Sequence, residues 1–361
     1  MTFDDRYGWL DRLLHRTAFR TGTAQQALAD VEDLMFRDAL AEISVDHPVF
    51  ITALPRSGTT ILLRLLWGSG HFASHTYQDM PFVLCPLLWD RYTGQFGVEE
   101  TTRERAHGDG LEVSETSPEA FEEMLWKHFW PDHYRPDHIR PWTSDDHNPE
   151  FNSFVESHVR KVIAVRSEDS GRQRYVSKNN LNIARLAAPP PLLRAGTILI
   201  PFRKPLQQAA SMHRQHQRFL DLHEEDDFVR EYMEAIGHHE FGKGLRPVNF
   251  NDWLADAPNP DTLVFWVRYW IAAYRSVLNH ADSSAILVSY NRLTNAPEAI
   301  LTHLSHVVDV PETDLVSQSN RVQAPRTHPV PSETLSRSVR READDLYTSL
   351  LDRAGEHESQ S

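Results

Sequence analysis

Apolar runs at residues 49–54, 197–202 and 285–290, with a short strand-like stretch at 174–178, punctuate the chain. Each passes into a short polar turn and then into apolar positions at helical spacing, as with Ile61, Leu62, Leu65 and Leu66 after the first run. Strands that alternate with helices imply an α/β fold, a three-layer arrangement with a central parallel sheet flanked by helices. Residues 1–45 read as two helices separated by Thr21-Gly22-Thr23, forming an extension that caps the sheet. Ser117-Pro118-Glu119 reads as a helix start, with Ser as N-cap and Pro at the first helical position. Further helices are expected over 151–166, 262–279, 297–308 and 334–354. Residues 100–150 and 214–260 carry weaker periodicity and read as substrate-shaping insertions, the first containing a loop at 103–110 and the second a solvated lid. No repeat or linker interrupts the chain, which predicts one domain over 1–361.

The first strand-to-helix junction is the most informative. Thr52-Ala53-Leu54-Pro55-Arg56-Ser57-Gly58-Thr59-Thr60 leads from a strand onto a helix N-terminus, where unpaired N–H groups and the helix dipole favour an anion. The nucleotide-kinase loop G-x-x-x-x-G-K-[ST] is incomplete here, with Ala53 at the first Gly and Thr59 at the Lys. Its cation sits inside the loop instead, at Arg56. Two later junctions also deliver a cation, Lys178 and Arg203, as a polyanion along one sheet edge would require. Polar residues 74–81 follow the first helix and offer His75 and Asp79 to the same edge.

Charge and cysteine usage narrow the classes. A formal net charge of −14 over 361 residues opposes nucleic-acid binding, so an anionic ligand needs local cations. The one cysteine, Cys85, excludes an intrachain disulfide and fits a reducing compartment. No run of about 18 apolar residues is present and no signal peptide is visible, so the expectation is a cytoplasmic protein without a membrane span. His213 and His216 lack cysteine neighbours or a His-Glu-x-x-His pattern, and no metal is assigned to them.

Residues 55–60 and 198–211 together resemble the superfamily of sulfotransferases that use 3′-phosphoadenosine 5′-phosphosulfate (PAPS), and within it the bacterial family related to the tyrosylprotein enzymes. The resemblance extends over residues 49–308. It implies that Arg56, Ser57, Gly58, Thr59 and Thr60 hold the 5′-phosphosulfate, and that Arg203 and Ser211 hold the 3′-phosphate. Ser177-Lys178-Asn179 is similar to the family's Asn-Lys-Asp turn, which places Lys178 near the bridging oxygen, and the family's Tyr on the last strand falls on Tyr290. The Lys-Thr-His setting of the cytosolic branch is absent. The Glu of the tyrosylprotein branch matches Asp79 only after a two-residue shift.

The expected reaction is in-line sulfonate transfer from PAPS to a hydroxyl or amine of a small-molecule, glycan or lipid acceptor, with no metal required. Asp79 is the leading base, His107 the second, and the acidic segment 119–123 the next place to look. Lys178 and Arg56 stabilise the leaving group. The competing readings are a P-loop phosphotransferase, which would need ATP and Mg²⁺, and a non-catalytic nucleotide-binding protein.

Overall fold

The computed structural model describes residues 15–16, 22–94, 103–104, 112–113, 117–323, 330 and 335–355. Strands β1 (Val49–Ile51), β2 (Phe72–Ala73), β3 (Arg174–Lys178), β4 (Thr197–Phe202) and β5 (Ala285–Ser289) form a parallel sheet in the order β2-β3-β1-β4-β5. The chain first visits one side of β1 and then the other. That order opens a crevice beyond the carboxyl ends of the central strands.

Alternation along the strands separates two apolar layers. Val49, Ile51, Val176, Leu199 and Val288 pack on one face with Leu62, Leu63, Leu65 and Leu66. Phe50, Tyr175, Ile198, Ile200, Phe202 and Leu287 pack on the other. Successive strand residues point to opposite faces, so a parallel strand covered on both sides is apolar throughout.

Eight helices matter here: α1 (Gly22–Met35), α2 (Thr59–Gly68), α3 (Glu123–Phe129), α4 (Pro149–Ser170), α5 (Pro205–Glu225), α6 (Leu263–His280), α7 (Pro297–Val307) and α8 (Arg337–Arg353). The ends of α4 show why the sequence places them there. Asn148 accepts the Phe151 N–H at 3.0 Å, Pro149 opens the helix, and Gly171 closes it with a left-handed φ of 71°.

Two expectations are corrected. The helix foreseen at Ser117 begins instead at Glu123, because Pro118 bridges Thr76 and the Glu119 N–H binds the His75 carbonyl at 2.9 Å. Long-range backbone pairing has outcompeted a locally sound cap. The segment 214–260 is no solvated lid: α5 continues to Glu225, a helix follows over Asp227–Ala235, and Phe219, His223, Phe228, Tyr232 and Phe241 are buried. His216, His223 and His239 are buried core residues, and the His216 ring accepts the Gly242 N–H at 3.0 Å.

Candidate active site

Residues 52–58 leave β1 at the carboxyl edge and enter α2. Two of them hold left-handed backbone conformations, Arg56 at φ 67° and Gly58 at φ 108°. Alternating handedness turns successive N–H groups to one side, and the first N–H groups of α2 have no intrahelical partner. A Cβ at Gly58 would stand 2.5 Å from Cδ2 of Tyr290, so the ring of Tyr290 lies against the loop backbone and only glycine leaves room for it. Ser57 and Thr59 are buried and Thr60 is half-buried. Gln208, on α5, donates to the Leu54 and Pro55 carbonyls at 3.3 and 3.1 Å and accepts from Trp270 at 3.0 Å. Those carbonyls are thereby turned away from the anion face.

The other strand ends supply the cations. Arg203 follows β4, and its guanidinium carbon lies 5.1 Å from the centroid of Tyr290, which follows β5. Arg56 Nε donates to Ser211 Oγ at 3.2 Å, tying the loop to the second turn of α5. Arg214 is one turn further on the same helix face. Burial lowers the Arg203 pKa, and the neighbouring guanidiniums of Arg56 and Arg214 lower it further. Partial burial and Arg56 likewise lower that of Arg214, although its side chain is largely exposed. Among the described residues no carboxylate lies within ion-pair distance of Arg203 or Arg214. Clustered guanidiniums repel one another, and an anion bearing more than one negative charge relieves that repulsion.

Lys178 ends β3 in register with Ile51 of β1, which places it beside the loop. Its Nζ lies 3.9 Å from Oε1 of Glu119, and both side chains are buried. Glu119 accepts from the Tyr77 hydroxyl at 2.6 Å and from the Ala120 N–H at 2.9 Å. Because the helix starts late, this carboxylate is held by the extended segment that crosses to Thr76.

Solved structures share this architecture. The sulfotransferase STF9 from Mycobacterium avium superposes with a TM-score of 0.50 at 13% identity, over 90% of this chain and 81% of that one. The fold is that of the sulfotransferases. The sulfotransferase STF1 from Mycobacterium tuberculosis H37Rv is also similar, at 13% identity and a TM-score of 0.46, over 92% of this chain and 85% of that one. A sulfotransferase from Alicyclobacillus acidocaldarius matches at 11% identity and a TM-score of 0.43, over 88% of this chain and 98% of its own. No family model and no curated protein matches the sequence.

Within this sulfotransferase fold, Arg56, Gly58, Arg203, Ser211 and Tyr290 meet at one edge with Lys178 alongside. Among the described residues Asp79 has no hydrogen bond or ion pair to any of them. It is enclosed by the Arg166 guanidinium, the Thr76 N–H at 2.8 Å and His75 Nδ1 at 3.3 Å. Burial pushes its pKa up, but Arg166, His75 and the Thr76 N–H hold it down at about 2. A carboxylate so tightly committed is a poor proton acceptor, and its visible work is to cap the short turn Tyr77–Asp79 and neutralise Arg166. His107 lies outside the described residues. Among the described residues no cluster of side chains suits a metal ion, and no helix is long and apolar enough to cross a membrane.

Sequence reasoning missed Arg214 and Gln208 as site residues. Arg214 shares a helix face with Ser211, a spacing signal available in the sequence. Gln208 reaches carbonyls more than 150 residues earlier, for which no local signal exists.

Proposed function

We propose that the protein transfers a sulfonate group from PAPS to a hydroxyl or amine of its acceptor. The observation that carries this reading is the meeting of Arg56, Ser211, Arg203 and Tyr290 around a loop without the kinase lysine. An anion at the loop and a second phosphate beside Arg203 and Ser211 match the two charged ends of the donor. Arg offers phosphate a planar fork of donors, and the serine hydroxyl adds a further one. Arg214 reinforces the same end, and the Tyr290 ring keeps Arg203 in place by a cation–π contact.

In the reaction the acceptor oxygen or nitrogen forms a bond to sulfur as the bond from sulfur to the phosphate oxygen breaks. The electron pair stays on that oxygen, giving adenosine 3′,5′-bisphosphate, and the acceptor proton passes to a base. Arg56 and Lys178 offset the charge that appears on the departing oxygen. Glu119 takes the role of base in this scheme, since its carboxylate stands beside Lys178 and Tyr77 orients it.

Thermal melting with adenosine 3′,5′-bisphosphate, set beside ATP with Mg²⁺, tests the reading. A ligand confined to the native state adds about 2.7 kcal/mol at 100 times its Kd. A shift with the bisphosphate alone is expected. Stabilisation by ATP and Mg²⁺ alone would instead favour phosphotransfer.

A further inference from the structure

Two residues beyond Lys178 the chain leaves the sheet edge at Asn180. Its backbone carbonyl accepts from Thr52 Oγ1 at 3.1 Å, which fixes it against the first residue of the anion loop. Asn180 is 9% exposed. Nδ2 donates to Glu240 Oε1 at 3.0 Å, whereas Oδ1 is buried and has no hydrogen-bond partner. Turning the amide over would set its oxygen against the carboxylate, so this orientation is the favoured one. Glu240 is half-buried, and among the described residues no cation lies within ion-pair distance of it. Lys127 is engaged with the Glu234 carbonyl, and neither its ammonium nor the Arg246 guanidinium forms an ion pair with Glu240.

A buried acceptor without a partner is destabilising, and a half-buried carboxylate without a counter-charge adds to that cost. Side by side they offer two acceptor atoms, one of them charged, to a group that carries several N–H donors. A hydroxyl has one proton to give and no charge, so it satisfies only half of this arrangement. A primary ammonium satisfies both.

We propose that Asn180 and Glu240 form a recognition site for a primary ammonium group on the acceptor. The assignment names the class of acceptor and rests on the sulfonate-transfer reading: the nucleophile faces Lys178, and a second, cationic end of the same molecule is held by Asn180 and Glu240. Both residues are positioning residues and take no part in bond making.

The test uses two probes of matched shape, tyramine and 4-propylphenol, which differ only by an ammonium in place of a methyl group. Binding of each is measured by calorimetry to the full chain saturated with adenosine 3′,5′-bisphosphate. Wild type is expected to prefer tyramine by about tenfold or more, as a charge-assisted hydrogen bond would give. Glu240→Gln is expected to bring the preference close to one while leaving bisphosphate affinity unchanged, which also reports that the variant is folded. Glu224→Gln, at an exposed carboxylate, should keep the preference. Equal or absent binding of both probes to wild type overturns the site, as does a preference that survives Glu240→Gln. Failure of the bisphosphate to bind at all refutes sulfonate transfer instead, and the same probe pair on the protein alone then tests the ammonium site separately.

Discussion

Arg56 Nε lies 3.2 Å from Ser211 Oγ, a contact between residues 155 positions apart in the chain. It brings the loop after β1 onto the helix after β4, so one anion can touch both. The arrangement leads to the following expectations.

Arg203→Ala should weaken adenosine 3′,5′-bisphosphate binding by about 1.5–3 kcal/mol, the usual size of a charge-assisted contact. Arg214→Ala should cost less, because this side chain is exposed, and its effect should shrink as salt is raised. Titration of each variant checks both, and unaltered affinity in Arg203→Ala would remove the phosphate assignment.

Gly58→Ala introduces a Cβ 2.5 Å from Tyr290 at a φ of 108°. The left-handed backbone alone costs a non-glycine residue about 1–2 kcal/mol, and the ring must also move. A lower melting temperature together with weaker bisphosphate binding is expected. Wild-type values for both would show that Tyr290 does not close on the loop.

Glu119→Gln and Asp79→Asn should separate chemistry from architecture. The first is expected to lower kcat by about 10²–10⁴ with bisphosphate binding retained. The second removes the counter-charge that Asp79 gives the buried Arg166, a loss of about 3–5 kcal/mol in stability. Denaturant unfolding beside turnover distinguishes them, and a stable Asp79→Asn with no turnover would return Asp79 to the reaction.

Stability should depend on Glu32, which joins α1 to α4. Its carboxylate lies 3.3 Å from Lys161 Nζ and accepts the Leu88 N–H at 2.7 Å. Burial raises its pKa to about 7, although the Leu88 N–H and Lys161 oppose the rise. The folded state therefore holds this proton more tightly than the unfolded chain. The stabilisation is full below about 4.5 and is lost as pH rises through 7. Glu32→Gln should flatten that decline in denaturant unfolding across the window, and an unchanged slope would show that another group is responsible.

Much of the candidate anion site can be read from the sequence because its parts are local. A strand, a loop with one glycine and a helix lie within residues 49–66, and Arg203 and Tyr290 each directly follow a strand whose apolar pattern is plain. In a parallel sheet those ends must share an edge, so placing the strands also placed their terminal residues. The backbone carries that inference, whatever the side chains do.

Tertiary structure alone separated Asp79 from Glu119. Both are acidic and both lie near the same edge, but Arg166 from α4 neutralises the first, while the strand-like crossing to Thr76 delivers the second to Lys178. Ser117-Pro118 carries a sound helix-start signal, which is why the residues after it were read as helix. Local propensity amounts to a fraction of a kcal/mol per residue, and long-range backbone pairing together with a buried carboxylate network exceeds it. The unpartnered oxygen of Asn180 was invisible for a related reason: only packing decides which buried polar atoms are left without partners.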